Sequence, residues 1–340
     1  MIWLIIVIII IGLLIVLFTN NPIIKKIGIG PIKVNKKKVK TILLGSHIRR
    51  GIIPQIIVYF ILVVISFIFL YPLIFMILTS FKSVTDLANT SSGLIPSKLE
   101  FSNYTNAFKE LNYLTSLYKT ILASVLPSLF NVVVGALTAY GFARFKFPLK
   151  KLLMGLMLAT FIVPRILIQI PQYAWYAQLK LLGNILTYIL PASLGQGLYF
   201  ALYFLILYST FKQIPNQLDE SAKIDGANSA QIFTKIMLPL VIPSIITVFL
   251  FSFVWYWNDA DMASMYLNVS NNSFWTTLPV ALQAYQNKVF SITQGGQLTV
   301  LYQGIKMAGT MLSILPLLIT YFILQRYFVE GIENSGITGE

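Results

Sequence analysis

Seven long apolar blocks constrain the fold of this 340-residue chain more than any other feature. A helix needs about 20 predominantly apolar residues to cross a bilayer. The blocks run near residues 2–18, 56–80, 118–142, 152–175, 185–210, 240–258 and 307–327. Because lipid offers the backbone no hydrogen-bond partners, each block must satisfy its own polar groups and is expected to be a helix. The sequence therefore predicts an all-α, multi-pass membrane protein.

The composition agrees with a bilayer as the solvent of this chain. Hydrophobic residues make up 57% of it and charged residues 11%, whereas soluble domains carry about 25% charged residues. A net charge of +14 would suggest nucleic acid in a soluble protein. Here the basic residues lie between apolar blocks, so membrane topology and anionic lipid explain them better, and no nucleic-acid partner is expected.

Few residues of this chain could hold a metal or a cofactor. The absence of cysteine excludes disulfides and thiolate metal sites. The single histidine, His47, is flanked by Ser46 and Arg49 and is interpreted as a basic juxtamembrane residue rather than a catalytic base or a zinc ligand. We expect the chain to bind neither a metal nor a cofactor.

The basic residues also predict the orientation of the chain. Cytoplasmic loops are enriched in Lys and Arg. Seventeen of the 25 basic residues fall in alternate segments, namely 19–55, 143–151, 211–239 and the tail after 325. These segments are predicted to be cytoplasmic, with the C-terminus. The N-terminus is then outside, and segments 81–117 and 259–306 are external loops or short helices.

The first apolar block allows two interpretations. A signal peptide would begin with basic residues and end at a small-residue cleavage site, and residues 1–22 have neither, which favours an uncleaved helix. We interpret residues 1–54 as an extra transmembrane helix with a basic cytoplasmic loop. Residues 55–340 then form a six-helix core.

Carboxylates are missing from every predicted span. Carriers driven by protons or sodium usually bind the coupling ion through such groups, so the pattern argues against a secondary transporter. With no acid, histidine or cysteine available as a general base, an intramembrane enzyme is disfavoured too. Nucleophile-elbow, phosphate-loop and zinc motifs are also missing from the sequence. Energy for uphill transport would have to come from another subunit.

One charge, Arg165, does fall at membrane depth. Burying it in lipid would cost at least about 2.5 kcal/mol, so we expect it to face the bundle interior or a wet cavity. It could contact a polar or anionic solute. It could also pair with backbone carbonyls released by Pro164 or Pro171.

Residues 215–239 predict two short cytoplasmic helices around a break. Asn216 is a candidate cap of the first helix, Gly226 can end it at positive φ, and Asn228 with Gln231 forms a capping box for the second. The second helix has one apolar face, formed by Ile232, Phe233, Ile236 and Met237. The first carries three acids, Asp219, Glu220 and Asp225. A membrane-surface anchor would be basic, so the acids favour docking in a basic groove of a protein partner.

The spacing of short motifs in this segment resembles a known family. Glu220-Ser221-Ala222, Asp225-Gly226-Ala227 and Leu238-Pro239 resemble the "EAA" loop of ABC importer permeases, with Ser221 where the family usually has Ala. The core resembles the smaller permease of maltose-type carbohydrate importers at several further places, namely residues 72–82, Asn103-Tyr104, residues 139–145, Trp257-Asn258, Pro316 and residues 325–331. The resemblance covers residues 55–340 and leaves residues 1–54 unexplained.

The resemblance implies a mechanism and a set of partners. The loop would sit in a cleft of a separate ATPase dimer, which binds the ATP and magnesium. Closure of the ATPase dimer would swing two homologous permeases between inward- and outward-facing states. An extracytoplasmic solute-binding protein would deliver the sugar. It further implies that Glu220 makes the charged contact, Ala222 permits close approach, Gly226 sets the break, and Asp225 caps the helix or touches the partner. Ser221, Ala227, Leu238 and Pro239 complete the coupling set.

The solute path is less clearly marked. Polar and aromatic candidates within the spans are Asn131, Arg165, Gln169, Tyr173 and Trp175. Aromatic faces stack on sugars and amides bond hydroxyls, but aromatic residues at span ends also anchor proteins at the interface and amides also join helices. In some relatives the partner permease makes the substrate contacts. Two other functions stay open: an ABC permease for amino acids or peptides, and a non-translocating scaffold or sensor on the same fold.

Overall fold

The computed structural model describes residues 52–89, 91–268, 274–294 and 297–334. Every regular element in these ranges is helical, which confirms the predicted all-α class. Two compact units divide the chain, Met1–Pro72 and Leu73–Glu340. The predicted helix near residues 2–18 lies outside the described residues, and the division into 1–54 and 55–340 stays a prediction.

The described residues form fourteen α-helices. In chain order they are α1 Ile52–Ser80, α2 Val84–Ala88, α3 Ser102–Glu110, α4 Tyr113–Arg144, α5 Lys150–Ile162, α6 Arg165–Gln178, α7 Leu186–Ser193, α8 Phe200–Gln213, α9 Asn216–Ile224, α10 Ser229–Gln231, α11 Leu238–Leu240, α12 Ile242–Asn258, α13 Leu278–Ile292 and α14 Gln303–Asn334. Two π-helices, Ile232–Met237 and Ala263–Leu267, and a 3₁₀-helix, Gln297–Tyr302, complete the set.

Three of the helical stretches are long and apolar enough to cross a membrane: Gln55–Ser80, Tyr113–Arg144 and Leu298–Tyr327. They correspond to the predicted spans near 56–80, 118–142 and 307–327, which are confirmed. Two bent pairs raise the number of candidate spans to five within the described part of the chain. One of them joins Ser229–Leu240 to Ile242–Asn258 at 76°, and its second half is the span predicted near 240–258.

The other bent pair corrects the prediction of one unbroken helix over residues 152–175. Helices α5 and α6 meet at 96°. The break lies at Val163, which is extended (φ −66°, ψ 120°) because it precedes Pro164. Pro164 also has no N–H to continue the helical hydrogen-bond ladder. Arg165 therefore begins a new helix in the middle of a predicted span.

The predicted helix over residues 185–210 is also interrupted. It consists of α7 and α8, separated by residues 194–199. Gly195 (φ +71°) and Tyr199 (φ 54°) both lie in the left-handed region, which an α-helix cannot accommodate. A chain turn is thereby placed beside the α5–α6 bend.

Helix α4 lies at the centre of the second unit. Its small residues Gly135, Ala136 and Ala139 let α8 approach closely, and a Cβ on Gly135 would come within 3.3 Å of Leu207. The fully buried side chains of α8 that face these small residues are Tyr203, Phe204, Leu207 and Phe211. Packing of this kind, rather than the hydrophobic effect, holds helices together in lipid.

Polar bonds add to this packing between helices. Asn131 of α4 donates to Ser252 Oγ of α12 at 3.0 Å. Trp257 Nε1 of α12 donates to the carbonyl of Ser313 on α14 at 3.1 Å. Each such bond typically adds about 0.6 kcal/mol in a membrane protein, so together they fix α12 between α4 and α14.

The segment predicted to lie outside near 81–117 is described except at residue 90. It contains α2 and α3. The Asn103 amide donates to the backbone carbonyls of Ser80 and Lys82, both at 2.9 Å, and Lys82 Nζ donates to the carbonyl of Gly93 at 2.7 Å. The prediction of short helices in this segment is confirmed, and its external position stays a prediction.

Candidate coupling segment and polar cavity

The coupling segment, residues 215–239, forms two short helical elements around a break. Helix α9 ends before Gly226, whose φ of +82° is the left-handed geometry that glycine adopts without strain. Asn228 and Gln231 form the predicted capping box, with both backbone N–H groups bonded to the partner side chain at 2.9 Å. The local structure predicted around Gly226 and Asn228 is confirmed.

The predicted cap of the first helix is wrong. Helix α9 begins at Asn216 itself, after Pro215, and has no side-chain cap. The Asn216 amide oxygen accepts from the guanidinium of Arg144 at the end of α4. An arginine distant in sequence therefore occupies the group expected to cap the helix.

Arg144 attaches the coupling segment to the helix bundle. Its Nε lies 3.1 Å from Asp219 Oδ2, and the two side chains are 6% and 12% exposed. Its Nη2 donates to the carbonyl of Ile214 at 2.8 Å. Asp219, one of the three acids expected on the docking surface, is thus turned inward, and this part of the interpretation is corrected. Sequence reasoning missed the pair because the two residues are 75 positions apart.

The apolar side of the coupling segment is buried in its own chain. Ile232 and Met237 are almost fully buried in the cluster that contains Phe211, and the Phe233 ring packs 4.9 Å from that of Tyr140. This confirms the predicted apolar face, although residues Ile232–Met237 form a π-helix rather than an α-helix. π-Helical turns inside longer helices are frequent at functional sites.

The opposite side of the coupling segment is exposed. Glu220, Ser221, Asp225, Gly226 and Pro239 face solvent, and Ala227 and Leu238 are half-buried. Ala222 is buried beneath them, so the approach that its small side chain permits is that of α9 to its own bundle. The result is an exposed surface that carries Glu220, Lys223 and Asp225 on a tightly packed base.

A cavity of about 500 Å³ lies where the α5–α6 bend meets the 194–199 turn. Its polar lining includes Arg165, Gln172, Gln196 and Tyr199. The Arg165 guanidinium carbon is 5.3 Å from the centre of the Tyr199 ring, which is within cation–π range. A smaller adjoining pocket reaches the inner tyrosines and shares Arg165, Gln172 and Gln196.

Of the five residues predicted to contact the solute, only Arg165 lines this cavity. Asn131 is fully buried and packs so close to Gly197 that a Cβ there would lie 2.2 Å from its amide oxygen. Trp175 is 61% exposed. Tyr173 packs in an apolar cluster, and Gln169 offers its backbone carbonyl to the Tyr266 hydroxyl at 3.1 Å.

Sequence reasoning missed Gln172, Gln196 and Tyr199 as cavity residues. Gln172 stands seven positions after Arg165, two helical turns along the same face, which was a usable signal. The other two were hidden, because a continuous helix was predicted where the chain turns.

Comparisons with known proteins give one family and several relatives. The family described as "binding-protein-dependent transport system inner membrane component" matches residues 131–334. A polygalacturonan/rhamnogalacturonan transport system permease protein of Bacillus subtilis is 30% identical over 84% of this chain and 98% of its own. A diacetylchitobiose uptake system permease protein of Streptomyces coelicolor is 30% identical over 81% and 86%.

A solved structure has the same fold. It is a bacterial ABC transporter involved in the import of the acidic polysaccharide alginate, with a TM-score of 0.63 and 22% sequence identity. The match covers 81% of this chain and 96% of the other.

Proposed function

The chain belongs to the family of binding-protein-dependent transport system inner membrane components, and on that premise we propose that it is a permease subunit of an ATP-driven sugar importer. It is a multi-pass membrane protein of a transport family that is not itself catalytic. A separate ATPase dimer supplies the energy, and ATP and magnesium are bound there. A second homologous permease completes the path, and an extracytoplasmic binding protein delivers the solute.

The coupling segment carries this proposal. Glu220 and Asp225 lie exposed on one side, while the other side is held to α4 by Arg144 and packed onto the buried cluster that contains Phe211 of α8. A partner that pushes on the exposed side therefore moves α4 and α8 with it. In this scheme Glu220 makes the charged contact, Gly226 sets the angle between the two helical elements, and Ser221, Ala227, Leu238 and Pro239 shape the surface.

The sugar assignment rests on relatives and on side-chain chemistry. Both permeases compared above are named for carbohydrate transport. The cavity at the α5–α6 bend presents amides and a tyrosine ring, which are the groups that bond hydroxyls and stack on sugar faces. Among the earlier candidates Arg165 keeps a solute role, whereas Asn131 is assigned to helix packing.

In the proposed orientation the coupling segment and the C-terminus face the cytoplasm of a bacterial cell and the N-terminus lies outside. The coupling segment lies within the basic segment 211–239, and Arg144 of the basic segment 143–151 contacts it; both segments follow the distribution expected of cytoplasmic loops. Lipid contacts the apolar outer faces.

The proposal is tested in proteoliposomes that contain the whole importer. Glu220→Ala and Gly226→Pro should each lower sugar uptake by about tenfold or more, a factor that corresponds to roughly 1.4 kcal/mol. The permease should still insert, and the ATPase should still hydrolyse ATP. Gln217→Ala, an exposed neutral position on the same helix, serves as the control and should transport normally.

Two results would count against the proposal in different ways. Normal uptake by both variants would remove the coupling role of the segment. If no sugar stimulated ATP hydrolysis in the wild-type complex, the transport of sugar itself would be contradicted, and an amino-acid or peptide that did so would replace it.

A further inference from the structure

Arg165 is an unusual residue for the middle of a predicted span. It begins α6 directly after the α5–α6 bend and lines both the large cavity and the pocket beside it. Arginine stays protonated in proteins and presents a planar set of five N–H donors. Arg165 is half-buried, and its donors are available to an anion or a set of acceptors in the cavity.

The protein does not supply that anion at ion-pair distance within the described residues. Their two ion pairs are Arg144–Asp219 and Lys288–Glu110, and neither includes Arg165. Asp259 lies within electrostatic range of Arg165. Its oxygens lie beyond ion-pair distance from the guanidinium and accept from the Tyr188 hydroxyl at 2.7 Å and the Met262 N–H at 3.1 Å.

The surroundings of Arg165 match a sugar rather than a simple ion. Gln172 and Gln196 line both cavities, and each amide can donate to and accept from hydroxyls. The Tyr199 ring lies against the guanidinium at 5.3 Å and orients it. A volume of about 500 Å³ falls within the usual range of small-molecule sites, roughly 300–1,000 Å³.

We propose that this cavity binds the carboxylate of an acidic sugar, a uronic-acid residue of an oligosaccharide, with Arg165 as its partner. The guanidinium would hold the carboxylate through two parallel hydrogen bonds, and the two glutamines would bond ring hydroxyls. This inference rests on the proposed function and narrows it from sugars in general to carboxylated ones. A neutral sugar would leave Arg165 without its partner and should pass less well.

The test compares acidic sugars with their neutral counterparts in the reconstituted importer. The probes are short oligogalacturonates and oligoalginates, and the same compounds after reduction of their carboxyl groups to alcohols. Wild-type uptake should be about tenfold or more faster for the acidic form, since hydrogen bonds to charged groups are the strong ones. Arg165→Gln should remove that preference by slowing the acidic form alone, and Arg165→Lys should keep part of it.

Lys151→Gln is the matched control. It removes the same charge from an exposed position at the start of the bent pair, away from the cavity lining, and should leave both rates unchanged. Basal ATP hydrolysis and the yield of assembled complex report whether each variant has folded.

Several outcomes would overturn the inference. If the wild type imports neutral oligosaccharides and rejects the carboxylated ones, or if Arg165→Gln imports both forms at wild-type rates, the sugar-importer function stands and the carboxylate site falls. If Arg165→Gln slows the uptake of acidic and neutral sugars equally, Arg165 has a structural role instead. If the variant loses anionic lipid that co-purifies with the wild type, Arg165 binds lipid instead. If no oligosaccharide of either kind stimulates ATP hydrolysis, the proposed function fails with it.

Discussion

The ion pair between Arg144 and Asp219 gives the sharpest prediction. Its side chains are 6% and 12% exposed, and removing one partner of a buried pair costs about 3–5 kcal/mol because the other charge is left unpaired. In Asp219→Leu, Arg144 retains its bond to the Ile214 carbonyl at 2.8 Å. We therefore expect the lower end of that range, about 3 kcal/mol, together with reduced uptake as the coupling segment loosens.

The measurement is the free energy of unfolding of the purified permease by SDS titration in mixed micelles, for Arg144→Met, Asp219→Leu and the double variant. Because the two side chains act as a pair, the double variant should be more stable than the sum of the single losses predicts, by at least about 1.5 kcal/mol. Lys288–Glu110 is the matched control, since both side chains are well exposed, and Glu110→Gln should cost less than about 1 kcal/mol. If the stability losses of the two single variants sum to that of the double variant within about 0.5 kcal/mol, the role given to the Arg144–Asp219 pair is refuted.

Three further predictions concern local structure. Gly226→Ala should destabilise the permease by about 1–2 kcal/mol in the same titration, because φ is +82° there. Gly155→Ala, at a helical glycine with open space around it, should not destabilise it. Equal effects of the two substitutions would contradict the backbone argument. Asn228→Ala removes the capping box and should cost about 1 kcal/mol, with faster hydrogen exchange confined to the segment after residue 228; unchanged exchange there would contradict it. The hydroxyl and N–H of Ser97 hold the pKa of the Asp86 carboxyl below its ordinary value. The loop tied by the Asp86–Ser97 bonds should therefore keep its protection from hydrogen exchange above about pH 4 and lose that protection as the pH falls further. In Asp86→Asn, hydrogen exchange of the loop should show no such step in this pH range.

The sequence predicted the fold well where a single physical cause decides the structure. The length of the apolar blocks was enough to predict the three long spans. A glycine and a capping pair were enough to predict where one helix ends at Gly226 and the next begins at Asn228. Both effects depend on residues that are close in sequence. Such features can be derived from one sequence.

The predictions were wrong where distant residues compete for the same groups. Asn216 bonds Arg144 instead of capping its own helix, and Asp219 is turned inward by the same guanidinium. The bend before Arg165 followed from Pro164 and could have been predicted. The turn that carries Gln196 and Tyr199 to the cavity was signalled in part by Gly195, whereas the positive φ of Tyr199 is imposed by tertiary packing on a residue with no preference for it.

The contact between the coupling segment and an ATPase is tested most directly by cross-linking. The chain has no cysteine, so Ser221→Cys, exposed beside Glu220, and Ser291→Cys, exposed on α13 in the segment predicted to lie outside, each introduce one reactive thiol. With a short thiol-reactive photo-cross-linker in membranes that contain the whole importer, the account predicts that Ser221→Cys is joined to the ATPase subunit and Ser291→Cys is not. A complex that transports sugar normally yet gives no ATPase adduct from Ser221→Cys, or an equal adduct from Ser291→Cys, would contradict it.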